Sequence, residues 1–103
     1  MTQYTGNYNW LVKTFSKVMN NHQELGKSLR QAGPLDEKNS QLIQLAAAAA
    51  IKTEGAVHSH VKRAIDAGAT PEEVYHTIIL LTSTIGFPST AAALSWAREI
   101  IED

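Results

Sequence analysis

The stretch EGAVHSH, residues 54–60, gathers Glu54, His58 and His60 in a chain that has no cysteine. Imidazole and carboxylate are the groups that ligate metals or move protons near neutral pH, so their spacing decides which chemistry is open to them. On a helix each residue turns by about 100°, and His58 and His60 therefore point about 200° apart and cannot grip one ion. Metal-binding histidines on a helix sit four residues apart, as in H-E-x-x-H. Glu54 and His58 do have that spacing and are expected to form an ordinary, exposed ion pair on the helix surface. Thr53, Ala56 and His60 follow one another at three- and four-residue steps and share a different face. His60 then lies among small residues beside an alanine-rich segment, where apolar walls move a titratable group's pKa. The alternative for His60 is a buried imidazole satisfied by a backbone carbonyl. His22, His58 and His76 read as ordinary structural residues. A metal site requires His60 to meet His76 or a residue of another subunit, so no metal ligand is assigned.

The elements that must position these residues read as helices throughout. Leu11, Phe15, Val18, His22, Leu25 and Leu29 recur at three- and four-residue steps, which predicts one amphipathic helix from about residue 8, after a flexible lead-in containing Gly6 and Asn7. Gly33 and Pro34 end it, as a left-handed cap and a residue that cannot continue the ladder. The segment 36–53 has Asp36 and Glu37 first, at the positive end of a helix dipole, and becomes apolar on every side, so it is expected to be central and buried. Ala46 to Ala50 let neighbouring helices approach closely. Gly68 caps a short helix over 54–66. Thr70, Pro71 and Glu73 form a capping box that opens a helix running to Gly86, with Val74, Ile78, Leu81 and Ile85 on its buried side. A last helix follows Pro88, with Leu94, Trp96, Ile100 and Ile101 as apolar contacts. Nothing alternates with period two for long enough to make a strand. The expected fold is all-α, about five helices, in a single domain spanning 1–103.

Composition narrows the function classes. A net charge of −1 gives no electrostatic footprint for nucleic acid or an anionic membrane. The lack of cysteine excludes disulfides, thiolate chemistry and cysteine-ligated metal. No stretch reaches the roughly 20 apolar residues of a membrane span, and MTQYTGNYNW has no signal-peptide pattern. A soluble, cytoplasmic protein is the expectation, with no nucleic-acid or membrane partner. The small core and the low charged fraction (18%) favour association with copies of itself. No phosphate loop or nucleophile elbow is present. The acidic pairs Asp36/Glu37 and Glu72/Glu73 stand at helix starts, where capping explains them.

Residues 38–94 resemble the carboxymuconolactone decarboxylase family, which includes the alkylhydroperoxidase D-type proteins. The resemblance rests on HVKRAIDAGATPEEV, with His60 ten residues before Thr70, and on GFPSTAAAL after the following helix. It implies the helical alkylhydroperoxidase-like fold and a homotrimer or homohexamer with sites near subunit contacts, for which Trp10, Phe15 and Met19 are candidate interface residues. It also implies a position for each reacting group of the peroxidase branch. The two cysteines map to Thr53 and Ala56, the glutamate to Gln41 and the histidine to His60. Without a thiolate, peroxidase activity is not expected. The decarboxylase branch, which also lacks the cysteines, implies removal of CO₂ from a small lactone carboxylate, with His60 as acid or base, Gln41 orienting it, and Thr53 and Ala56 against the substrate. No cofactor is implied. An arginine for the carboxylate is not evident, since Lys62 and Arg63 read as solvent-facing or paired with Asp66. Two functions follow: a cysteine-independent lyase acting on a small organic acid or lactone, and a non-catalytic oligomeric small-molecule-binding protein on the same scaffold.

Overall fold

The structure, a computed structural model, describes residues 6–102. Residues 1–5 of the expected lead-in lie outside the described residues, and Gly6 and Asn7 already belong to the first helix. Seven helices follow in order: α1 (Gly6–Thr14), α2 (Ser16–Gln31), α3 (Glu37–Ala50), α4 (Glu54–Asp66), α5 (Pro71–Ile79), α6 (Thr82–Ile85) and α7 (Phe87–Ile101). The described residues contain no strand.

The two helices beyond the expected five come from breaks inside predicted ones. The first falls at Phe15, whose backbone leaves the helical region (φ −124°, ψ 54°) between Thr14 and Ser16. The Ser16 hydroxyl turns back to the Lys13 carbonyl at 3.5 Å, the local bonding by which serine competes with a helix ladder. Trp10 and Phe15 meet edge to face across the break, with centroids 5.7 Å apart. The second break separates α5 from α6 in the run TIILLTSTI, rich in β-branched residues, which fit a helix poorly. There the Leu81 N–H bonds to Ile78 at 3.0 Å and the Thr82 hydroxyl to the Ile79 carbonyl at 2.7 Å.

Caps set where the core helices start and stop. The Asp36 carboxylate accepts from the Asn39 N–H at 2.8 Å and opens α3. Thr70 and Glu73 exchange both bonds of the expected capping box, with Pro71 in the first turn of α5. Gly68 closes α4 in a left-handed conformation (φ +103°), with Gly68 N–H on the Ile65 carbonyl and Ala69 N–H on Ala64. The same pair of bonds closes α3, Lys52 N–H to Ala49 and Thr53 N–H to Ala48, yet here the positive-φ residue is Lys52 (φ 60°). Gly33 does not cap α2. That helix ends at Gln31 with Ala32 still in the right-handed region.

The core lies where α3, α4, α5 and α7 meet. Leu45 of α3, Val57, Val61 and Ala64 of α4, Val74 and Ile78 of α5, and Ala93 and Ala97 of α7 are fully buried. The contacts expected from the last helix, Leu94, Trp96, Ile100 and Ile101, pack against this cluster as half-buried residues. Of the alanine run only Ala48 and Ala49 are buried, while Ile43 is 54% exposed, so α3 is central but open on one side. The α1–α2 pair contributes no buried residue. Gln23 donates to the Tyr8 hydroxyl at 3.1 Å and ties α1 to α2, and Arg30 pairs with Glu37 at 3.0 Å and ties α2 to α3. None of the seven helices is long and apolar enough to cross a membrane.

The two left-handed caps make opposite stability predictions. A Cβ at Gly68 meets nothing within 4 Å, so Gly68→Ala costs only the backbone strain, about 1–2 kcal/mol. Lys52→Gly relieves the same kind of strain and raises stability by up to about 1 kcal/mol. Urea unfolding midpoints of the two variants check both signs.

Candidate functional site

The candidate site forms because close α3–α4 packing sets Gln41 opposite His60. Small or branched residues line that contact, and Gln41 is carried into it at 1% exposure. A buried amide needs partners at both ends. Gln41 Nε2 donates to Glu37 Oε2 at 2.8 Å, one turn earlier on α3. Its Oε1 lies 2.8 Å from His60 Nδ1 on α4. The ionised Glu37 carboxylate only accepts, so the amide nitrogen must face it and the amide carbonyl must face the imidazole. A carbonyl also only accepts, so Nδ1 of His60 carries the proton and Nε2 is the basic nitrogen. Arg30 Nε stands 3.0 Å from the same Glu37 oxygen, close enough for an ion pair but without the alignment of a hydrogen bond. The order is therefore Arg30, Glu37, Gln41, His60.

His60 borders a cavity of about 1040 Å³ between the α1–α2 pair and the α3–α4 pair. Gln41, Gln44, Ala56, Arg63 and His22 also face it. The Gln44 Oε1 is buried without a hydrogen-bond partner. Arg63 follows His60 by three residues on the same face of α4, is half-buried, and has no carboxylate within ion-pair distance among the described residues. Burial first, and then the positive charges of Arg63 and Arg30, hold the His60 pKa below its ordinary 6.5. The imidazole is therefore neutral at neutral pH.

Three expectations change. His58 is not an exposed partner of Glu54: it is buried, with Nε2 2.8 Å from Glu99 Oε1 and 4.0 Å from Glu54, because α7 covers that face of α4. Arg63 faces the cavity rather than solvent or an ion pair with Asp66. Thr53 is exposed at the N-cap of α4, makes no side-chain capping bond and stands outside the cavity wall, whereas Ala56 is part of it. Sequence reasoning missed Glu37, Arg30, Gln44 and Arg63. The four-residue step from Glu37 to Gln41 and the three-residue step from His60 to Arg63 were available signals. Arg30 had none, since its role depends on how α2 turns into α3.

A pH dependence of stability follows from the His60 environment. The unfolded chain takes up the histidine proton near 6.5 and the folded chain only at lower pH. The folded state keeps its full stability above about pH 6.5 and loses part of it as pH falls from there through the lower folded value. Denaturant unfolding over a pH series is expected to show a loss in wild type that His60→Asn reduces.

Comparison with known proteins bears on the fold and the family. Among functionally curated proteins none matches. A similar solved structure is that of apo-lpg0406, a carboxymuconolactone decarboxylase family protein from Legionella pneumophila. It has 28% identity and a TM-score of 0.71, over 87% of this chain and 83% of that one. The sequence model of the carboxymuconolactone decarboxylase family matches residues 16–99, which extends the resemblance beyond the 38–94 core and shows that the chain belongs to that family.

Proposed function

We propose that the chain is a cysteine-independent lyase that moves a proton on a small organic acid or lactone, with His60 as acid and base. One observation carries this reading: the 2.8 Å contact between Gln41 Oε1 and His60 Nδ1, which leaves Nε2 as a base at the cavity. A base whose conjugate acid has a pKa near or below neutrality removes a proton without itself being protonated in the resting state. The imidazolium formed is held by the Gln41 carbonyl through Nδ1–H, and Glu37 fixes that carbonyl's orientation. The peroxidase chemistry of other family branches is absent on chemical grounds, since Thr53 and Ala56 offer no thiolate.

Arg63 supplies the link to substrate. A bound carboxylate beside it cancels a positive charge that holds the His60 pKa down. Substrate binding then raises that pKa, and the imidazole becomes able to give a proton as well as take one. In a decarboxylation the electron pair of the breaking C–CO₂⁻ bond stays on carbon, and the imidazolium delivers the proton there. In an isomerisation Nε2 takes a proton from one carbon and returns it to another. The non-catalytic alternative keeps the same cavity and uses His60 only for contact.

Self-association is the second part of the proposal. Val18, Leu25 and Leu29 share one side of α2 and are each more than half exposed, at steps that suit a second helix. A second copy of this chain covering that face is the reading favoured.

A thermal-shift screen of small carboxylates and lactones against wild type, His60→Asn and Arg63→Gln tests the catalytic reading. The ligands found are expected to bind Arg63→Gln about 10- to 100-fold more weakly. They bind His60→Asn with little change, and that variant does not turn them over. Binding that is retained without turnover in any variant, wild type included, favours the non-catalytic alternative. For the second part, light scattering is expected to give a mass above one chain, reduced to one chain by Leu25→Glu with Leu29→Glu.

A further inference from the structure

Outside the cavity, a second group of chemistry-bearing side chains converges on the opposite face of α4. Glu54 and His58 stand one turn apart on that helix, and Glu99 reaches them from α7. His58 and His60 point about 200° apart, so this group is separate from the proposed site and independent of the reading given to it. The nitrogen and the two carboxylate oxygens all lie within 4.8 Å of one another. His58 Nε2 is 2.8 Å from Glu99 Oε1 and 4.0 Å from Glu54 Oε2.

We propose that Glu54, His58 and Glu99 form a binding site for a borderline divalent transition cation of the zinc type. Three ligands at about 2.0–2.2 Å from a tetrahedral ion stand roughly 3.3 Å from one another. The observed 2.8 and 4.0 Å bracket that separation, and the two groups that must adjust are the ends of exposed glutamates. The imidazole is held by the protein: His58 is buried against α7 and its Nε2 already faces both carboxylates. A single imidazole N–H can satisfy one carboxylate, and the geometry gives it to Glu99. Glu54 is left beyond hydrogen-bond range beside a second negative charge, which a cation between them relieves. The donor set selects the ion. Imidazole suits zinc, copper, iron and nickel, whereas magnesium prefers oxygen ligands alone. Three protein ligands leave a fourth position on the ion for water. The bound ion would pin α4 to α7, two elements of the core.

The test is calorimetric titration of the full, chelator-treated chain with ZnCl₂ and, separately, MgCl₂. One zinc per chain and no magnesium binding are expected. Glu99→Gln keeps an acceptor for His58, and Glu54→Gln alters an exposed group, so both variants retain the fold, as circular dichroism verifies. Each is expected to weaken zinc binding by roughly tenfold or more. His22→Ala and His76→Ala, which remove exposed histidines elsewhere, leave it unchanged. A lack of stoichiometric zinc binding overturns the proposal. So does zinc binding that both glutamine variants keep undiminished, whatever the control variants do.

Discussion

The close packing of α3 on α4 is the constraint on which the rest depends. Leu45, Ala48 and Ala49 on one side and Val57, Val61 and Ala64 on the other let the two helices approach. Gln41 rides on the same interface and cannot escape to solvent, so its amide must be satisfied inside. The partners it finds are Glu37 and His60. A buried amide left half-satisfied costs about 1–3 kcal/mol, so the pairing also fixes the register between the helices. The tautomer of His60 is a consequence of that packing, not a separate feature.

Two histidines two residues apart in sequence meet different surroundings because of which helix covers each face of α4. His60 faces α3 and the cavity, where burial and the arginines disfavour its charged form. His58 faces α7 and meets Glu99 and, farther off, Glu54. One short stretch of a single helix thus carries a basic nitrogen on one side and a cluster of ligand-type atoms on the other. This separation lets the two proposals stand or fall apart from each other.

Much of this was legible in the sequence, for physical reasons that differ from residue to residue. Helical periodicity and the Thr70–Glu73 capping box are local signals: the all-helical character and the start of α5 follow from them, while the breaks at Phe15 and between α5 and α6 do not. Gln41 and His60 were paired only through resemblance to a family, since nothing in their separation of 19 residues shows that they touch. The burial of His58 was illegible because it depends on α7, whose Glu99 is 41 residues away. The break at Phe15 was hidden by a stripe that runs through it unbroken: Leu11, Phe15 and Val18 keep helical spacing while the backbone between them does not. Lys52 at a positive φ was equally hidden, because residue type alone assigns that position to glycine.

All of the proposed proton chemistry requires that His60 rest neutral, with its proton on Nδ1 and its lone pair on Nε2. Nitrogen-15 NMR of the histidine rings, followed through a pH titration, reads both the tautomer and the protonation of that ring. His60 is expected to show the Nδ1–H tautomer near neutral pH and to titrate below 6.5. An Nε2–H tautomer, or a titration at or above 6.5, would contradict that expectation and remove the base from the proposed chemistry.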